Sequence, residues 1–189
     1  AIDGDVAALA QHRQAGTDLN ATLDLDRWTA AHFAAWQGHV AALKFLHEAG
    51  ADLSATNILG NTPAYLAAAY GHAEALEALA KAGADLDTPN IERKTPAYAA
   101  AQRGKTDALR ILIKAGADID TAAGNGRTLA HWAAADRDGL DALRLLIQAG
   151  VDLNVTDMWG DTPADVAADF WHQEALKMIL EAGGKRSKP

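Results

Sequence analysis

The chain has 189 residues, 49% hydrophobic and 22% charged, a composition that buries a sizeable core and excludes disorder over most of its length. Twenty-five acidic against seventeen basic residues give a formal charge of −8, which repels phosphate backbones and argues against nucleic acid as a partner. No apolar run approaches the roughly 20 residues of a membrane helix, and the absence of cysteine excludes disulfides, thiolate metal sites and a cysteine nucleophile.

The first residues, Ala1-Ile2-Asp3-Gly4-Asp5, lack the basic and apolar regions of a signal peptide, and since the chain does not begin with Met, something upstream is expected to have been removed or left out. The compartment stays open, with an intracellular one favoured. From there a period governs the chain. Thr29, Thr62, Thr95 and Thr128 lie 33 residues apart and Thr162 follows after 34, while Gly50, Gly83, Gly116, Gly150 and Gly183 keep the same pace. The Thr-centred units read RWTAAHFAAWQGH, GNTPAYLAAAYGH, RKTPAYAAAQRGK, GRTLAHWAAADRDG and GDTPADVAADFWH, each followed by a Leu-rich stretch and then AGADL, AGADI, AGVDL or AGG.

Each unit predicts two helices. Thr before Pro (Thr62-Pro63, Thr95-Pro96, Thr162-Pro163) places a capping hydroxyl ahead of a first helical residue that needs no N–H. Ala pairs such as Ala67-Ala68 keep this helix thin enough for close stacking, and Gly38, Gly71 and Gly104 then reverse the chain. The following stretch puts Leu43-Leu46, Leu76-Leu79, Leu109-Leu112, Leu143-Leu146 and Leu176-Ile179 at i,i+3 spacing, one apolar face that only a neighbouring unit buries.

These recurring elements resemble the ankyrin repeat, whose T-P-L-H-x-A-A-x-x-G-H and G-A-D-x-N motifs recur at 33 residues. The resemblance implies an all-α solenoid of stacked helix-turn-helix units joined by β-hairpin-like loops. It divides residues 1–184 into a half repeat over 1–26 and repeats over 27–59, 60–92, 93–125, 126–159 and 160–184, leaving 185–189 as a basic tail expected to fray after the last helix. The fourth repeat has a remodelled turn around Asp136–Gly139, and Trp171 stands where other repeats place the turn glycine.

Seven histidines invite a metal reading, but His32 and His131 hold the His of the T-P-L-H element, where the resemblance implies a local hydrogen bond tying adjacent repeats. Asp161, Asp165 and Asp169, at i,i+4,i+8, share one helix face, read as a solvated face of the terminal repeat because nothing rigid supplies further oxygens to a cation. No nucleotide-binding, zinc-protease or nucleophile-elbow motif is present, so the chain is expected to be a non-enzyme without metal or cofactor.

In ankyrin repeats the hairpin tips and exposed sides of the first helices line a concave groove. In this register the groove candidates are Leu25, Trp28, Trp36, Gln37, Ile58, Leu59, Asn61, Tyr70, Ile91, Lys94, Arg103, Arg127, Met158, Trp159 and Phe170. The large apolar ones stand at positions the repeat leaves to solvent, where they are read as contact residues. The expected function is a non-catalytic protein-binding module, an adaptor, inhibitor or assembly subunit, alone in solution or within a hetero-complex. Its partner would carry apolar anchors together with acidic or hydrogen-bonding groups. The alternative is a regulatory or substrate-docking region of a larger multidomain enzyme.

Overall fold

Five threonines start five helices. Each lies in the extended region, and those of Thr62 and Thr95 accept from the N–H three residues on, through Oγ, at 3.1 and 3.2 Å. The computed structural model describes residues 4–22 and 24–188. Among them run eleven helices: α1 (Val6–Gln14), α2 (Ala30–Gln37), α3 (Val40–Glu48), α4 (Pro63–Tyr70), α5 (Ala73–Lys81), α6 (Pro96–Gln102), α7 (Thr106–Lys114), α8 (Leu129–Ala135), α9 (Leu140–Ala149), α10 (Pro163–Asp169) and α11 (Gln173–Glu181). None is long and apolar enough to cross a membrane.

The helices form two layers. The inner ones, α2, α4, α6, α8 and α10, stack in that order, as do the outer ones, α1, α3, α5, α7, α9 and α11. Inner helices approach closely because their facing residues are alanines: Ala34, Ala67, Ala100, Ala134 and Ala167 are fully buried. The outer layer supplies volume, with Leu43, Leu46, Leu76, Leu79, Leu109, Leu112, Leu143, Leu146 and Ile179 all buried against neighbouring repeats. The architecture is thus an all-α repeat solenoid. Gly38 shows why its turn needs glycine: φ is +75°, and a Cβ there would meet the His72 ring at 2.7 Å. Trp171 adopts the same left-handed conformation, φ +61°, while its side chain stays exposed.

The two T-P-L-H histidines tie repeats together. His32 Nδ1 accepts from the Thr29 N–H at 3.1 Å, which leaves the ring proton on Nε2, and Nε2 donates to the Asn61 carbonyl in the next repeat at 3.0 Å. His131 repeats this with the Thr128 N–H at 3.1 Å and the Asp161 carbonyl at 2.9 Å. Burial pushes both rings below the usual 6.5, against the opposing pull of those carbonyl bonds. As the folded pKa is lowered, the stability each neutral ring contributes is complete above about pH 6.5 and declines as pH falls towards the folded value, because the unfolded chain binds the proton first. The denaturation midpoint is therefore expected to fall between pH 7 and 5, and His131→Gln should flatten that dependence. Equal slopes in the wild type and His131→Gln would show that His131 does not titrate on unfolding.

The end of the array departs from expectation. Instead of presenting a solvated face, Asp165 is fully buried, while Asp161 is half-buried and Asp169 exposed. Nor does the tail fray: its described residues fold back over α10. Ser187 N–H donates to Asp165 Oδ2 at 2.8 Å, Arg186 Nε lies 3.2 Å from Asp165 Oδ1, and Lys188 pairs with Asp161. A helix starting with a buried carboxylate needs donors, and the tail supplies them. Burial by itself would raise the Asp165 pKa, but the Ser187 and Thr162 hydrogen bonds outweigh it and hold the carboxyl far below the usual 3.8.

Candidate functional site: the hairpin and inner-helix face

The loops that join the repeats are built alike. Asn57 Oδ1 accepts from the N–H groups of Leu59 and Asn61, both at 3.0 Å, and Asn90 and Asp157 do the same for Glu92 and Lys94 and for Trp159 and Asp161. Successive tips then hydrogen-bond to one another, Ile58 N–H to Asp26 O at 2.9 Å, Ile91 to Leu59 at 3.1 Å and Met158 to Asn125 at 3.0 Å. With their backbones occupied, the tips turn side chains outward. Leu25, Ile58, Leu59, Ile91, Met158 and Trp159 are each more than half exposed, a row of apolar residues interrupted at the end of the third repeat, where the tip is Gly124-Asn125.

Beside the tips, the inner helices form an aromatic ladder. Trp28 packs on Phe33 with ring centroids 4.9 Å apart and meets Trp36 edge-on at 5.7 Å; Trp36 meets Tyr70 edge-on at 6.0 Å. The Arg103 guanidinium lies over the Tyr70 ring, 5.4 Å from its centroid, and takes part in no ion pair among the described residues. Trp28, Leu59, Tyr70, Ile91, Lys94 and Arg103 line one cavity of about 340 Å³ across the first three repeats. Candidates far apart in sequence are therefore gathered into a single apolar and cationic recess. Lys94 enters it already paired with Glu92 at 2.7 Å and lying over the Tyr98 ring.

Three expectations about this face need correction. Trp28 and Trp36 are half-buried, since each covers the other and its neighbouring rings. Asn61 is buried: its carbonyl accepts from His32 and its Oδ1 from Asn90 Nδ2 at 3.0 Å, so both oxygens serve the stack although the residue borders the cavity. Arg127 lies between the rings of Trp132 and Trp159 at 5.6 and 5.1 Å, and its Nε contacts the fully buried side chain of Asp157 at 3.1 Å. It is a structural clamp in the fourth repeat. Of the remaining candidates, Gln37 is half-buried, and Phe170 is exposed with its ring near His172; neither borders the recess, nor do Leu25, Ile58, Met158 and Trp159.

Tyr65, Tyr98 and Trp132 were not legible as site residues. Tyr65 lines the recess, and burial raises its hydroxyl pKa against the opposing Arg103 charge, so it stays a protonated donor. Tyr98 is buried and accepts a hydrogen bond from Trp132 Nε1; with Lys94 the two border a second cavity next along the face. The available signal was that Tyr65 and Tyr98 replace the repeat-tying histidine, which frees a hydroxyl at that position. Among the described residues no group of three or more His, Asp or Glu is placed to hold a metal ion.

Comparison with curated proteins finds no match. A family model described as ankyrin repeats (3 copies) matches residues 1–90, 31–123, 67–157 and 97–188, in overlapping registers that together span nearly the whole chain. Its threonine-capped helix pairs and glycine turns, repeated in a single stacked array, agree with that match, and the chain belongs to the ankyrin-repeat family.

Proposed function

We propose that this chain is a non-catalytic adaptor, inhibitor or assembly subunit that binds a partner protein through the hairpin and inner-helix face. Ankyrin repeats are generally protein-protein interaction modules. The observation that carries the reading is the recess across the first three repeats, where exposed Leu59, Ile91 and Tyr70 surround an Arg103 that has no ionic partner among the described residues. A partner seated on this face presents an extended segment, helix or loop with bulky apolar groups against Trp28 and Tyr70, which line the recess, and against Trp36 beside them. A carboxylate or hydrogen-bond acceptor would then lie towards Arg103 in the third repeat.

The test is affinity purification with mass spectrometry on the wild type, followed by titration of the recovered partner against variants. Trp36→Ala and Tyr70→Ala are each expected to weaken binding by about 2 kcal/mol or more, as residues at the centre of an interface do. Arg103→Ala should lower chiefly the association rate and its salt dependence. A complex seated on the outer helices α3, α5 and α7, with Tyr70 and Arg103 still in solvent, would refute the proposal.

A further inference from the structure

The end of the array is closed by a segment that takes the path of a further repeat without its sequence. Gly184 follows α11 as Val151 follows α9: its N–H donates to the Ile179 carbonyl at 2.9 Å, as that of Val151 does to Leu146 at 3.2 Å, and both residues are buried. Two positions later the fourth repeat places buried Leu153, whereas the tail places Arg186. The inner helix it meets carries Asp165 where other repeats have His or Tyr. The two exchanges are complementary, a cation over a buried carboxylate with Arg186 Nε 3.2 Å from Asp165 Oδ1.

Ser187 is at the centre of this contact. Its N–H donates to Asp165 Oδ2 at 2.8 Å, and its Oγ lies 2.7 Å both from that oxygen and from the Gly160 carbonyl. Both neighbours of this oxygen are acceptors, and the single hydroxyl proton is donated to one of them at a time or shared between them, in a contact that has room for a hydroxyl and no donor for a larger anionic group. The neighbouring Lys185, Arg186 and Lys188 concentrate three cations around an exposed serine in a chain of net charge −8. A protein kinase with an acidic peptide-binding cleft recognises such a segment by charge complementarity once the tail lifts off.

We propose that Ser187 is a phosphorylation site and that its modification opens the C-terminal clasp. In the step, Ser187 Oγ attacks the γ-phosphorus of a nucleoside triphosphate, its proton passes to the kinase base, and the bond to the β-phosphate oxygen breaks to release the diphosphate. The product carries a charge of about −1.5 to −2 at neutral pH. Redocked, its oxygens would face the buried Asp165 carboxylate and the Gly160 carbonyl, acceptors against acceptors, in a contact sized for a hydroxyl. The phosphate instead draws Arg186 and Lys188 to itself, which removes the cations that now pair with Asp165 and Asp161. Opening uncovers the start of α10 and the carbonyl of Gly160, next to the exposed Trp159.

The experiment treats the full chain with ATP and a kinase chosen because it phosphorylates the free peptide Lys-Arg-Ser-Lys-Pro, then locates the phosphate by mass spectrometry and follows backbone amide exchange. Phosphate on Ser187 of the wild type is expected, with none in the tail of Ser187→Ala. Exchange at the Ser187 and Thr162 amides should rise about tenfold or more on phosphorylation, with α4 to α7 unaffected. Ser187→Asp should reproduce part of this rise, whereas Ser187→Ala keeps the backbone bond to Asp165 and stays near the wild type. No phosphate on Ser187, or phosphate there with unchanged exchange, would overturn the proposal. Neither result bears on partner binding at the first three repeats.

Discussion

Leu112→Ala is expected to destabilise the protein by about 2 to 5 kcal/mol, the range for emptying a well-packed leucine site. Leu112 has no exposed surface, and its helix α7 is held between α5 and α9 in the middle of the outer layer. The cavity left by the change cannot collapse from one side without disturbing the other. Because a solenoid is stabilised by contacts between neighbours, the loss weakens the interfaces on both flanks and uncouples the two ends of the array. Urea denaturation should show a lower midpoint, with a shallower transition if the halves separate. An unchanged midpoint would remove Leu112 from the core.

Arg127→Ala is expected to cost about 3 kcal/mol, the scale for stranding a buried charge, although its sequence position suggested a surface contact. The Asp157 side chain is fully buried and Arg127 is its only ionic partner among the described residues. Burial alone would raise the Asp157 pKa; the N–H groups of Asp161 and Trp159 and then Arg127 outweigh it and keep the carboxylate ionised. With Arg127 gone, an anion remains under the hairpin tip that joins the fourth repeat to the fifth, held by backbone N–H groups alone. The stacking of Trp132 and Trp159 on the guanidinium goes with it. Arg127→Lys should recover only part of the loss, since an ammonium keeps the charge without the planar fork. Adding Asp157→Asn to Arg127→Ala should also restore stability, because the stranded charge is then absent. By contrast Arg103→Ala, in a residue with no ion pair, should leave thermal unfolding nearly unchanged. Equal effects of Arg127→Ala and Arg103→Ala on the unfolding midpoint would refute the clamp.

The helices, their order and the stacking of their layers could be read from the amino-acid sequence because their causes are local and repeated. A Thr-Pro start, a left-handed glycine and leucines three apart act within one or two turns of chain, and five copies average out the ambiguity of any one. The same register placed Trp28, Leu59, Tyr70, Ile91, Lys94 and Arg103 on one side, where they line one recess. Which of the candidate side chains on this face remains free depends on neighbours that the stacking brings in, many of them about 30 residues away. Asn61 is occupied by His32 and Asn90, Arg127 by Asp157, and Trp36 by Trp28 and Tyr70, whereas Arg103 lies over the face of Tyr70 and has no ionic partner among the described residues. The last repeat shows the same division most sharply. Its three aspartates at helical spacing share a face by sequence, yet only packing of residues 184–188 against α10 makes Asp165 a buried anchor and leaves Asp169 in water. Spacing along one helix determines which side chains share a face; desolvation and hydrogen-bond pairing depend on what the rest of the chain lays over that face, and this is settled in three dimensions.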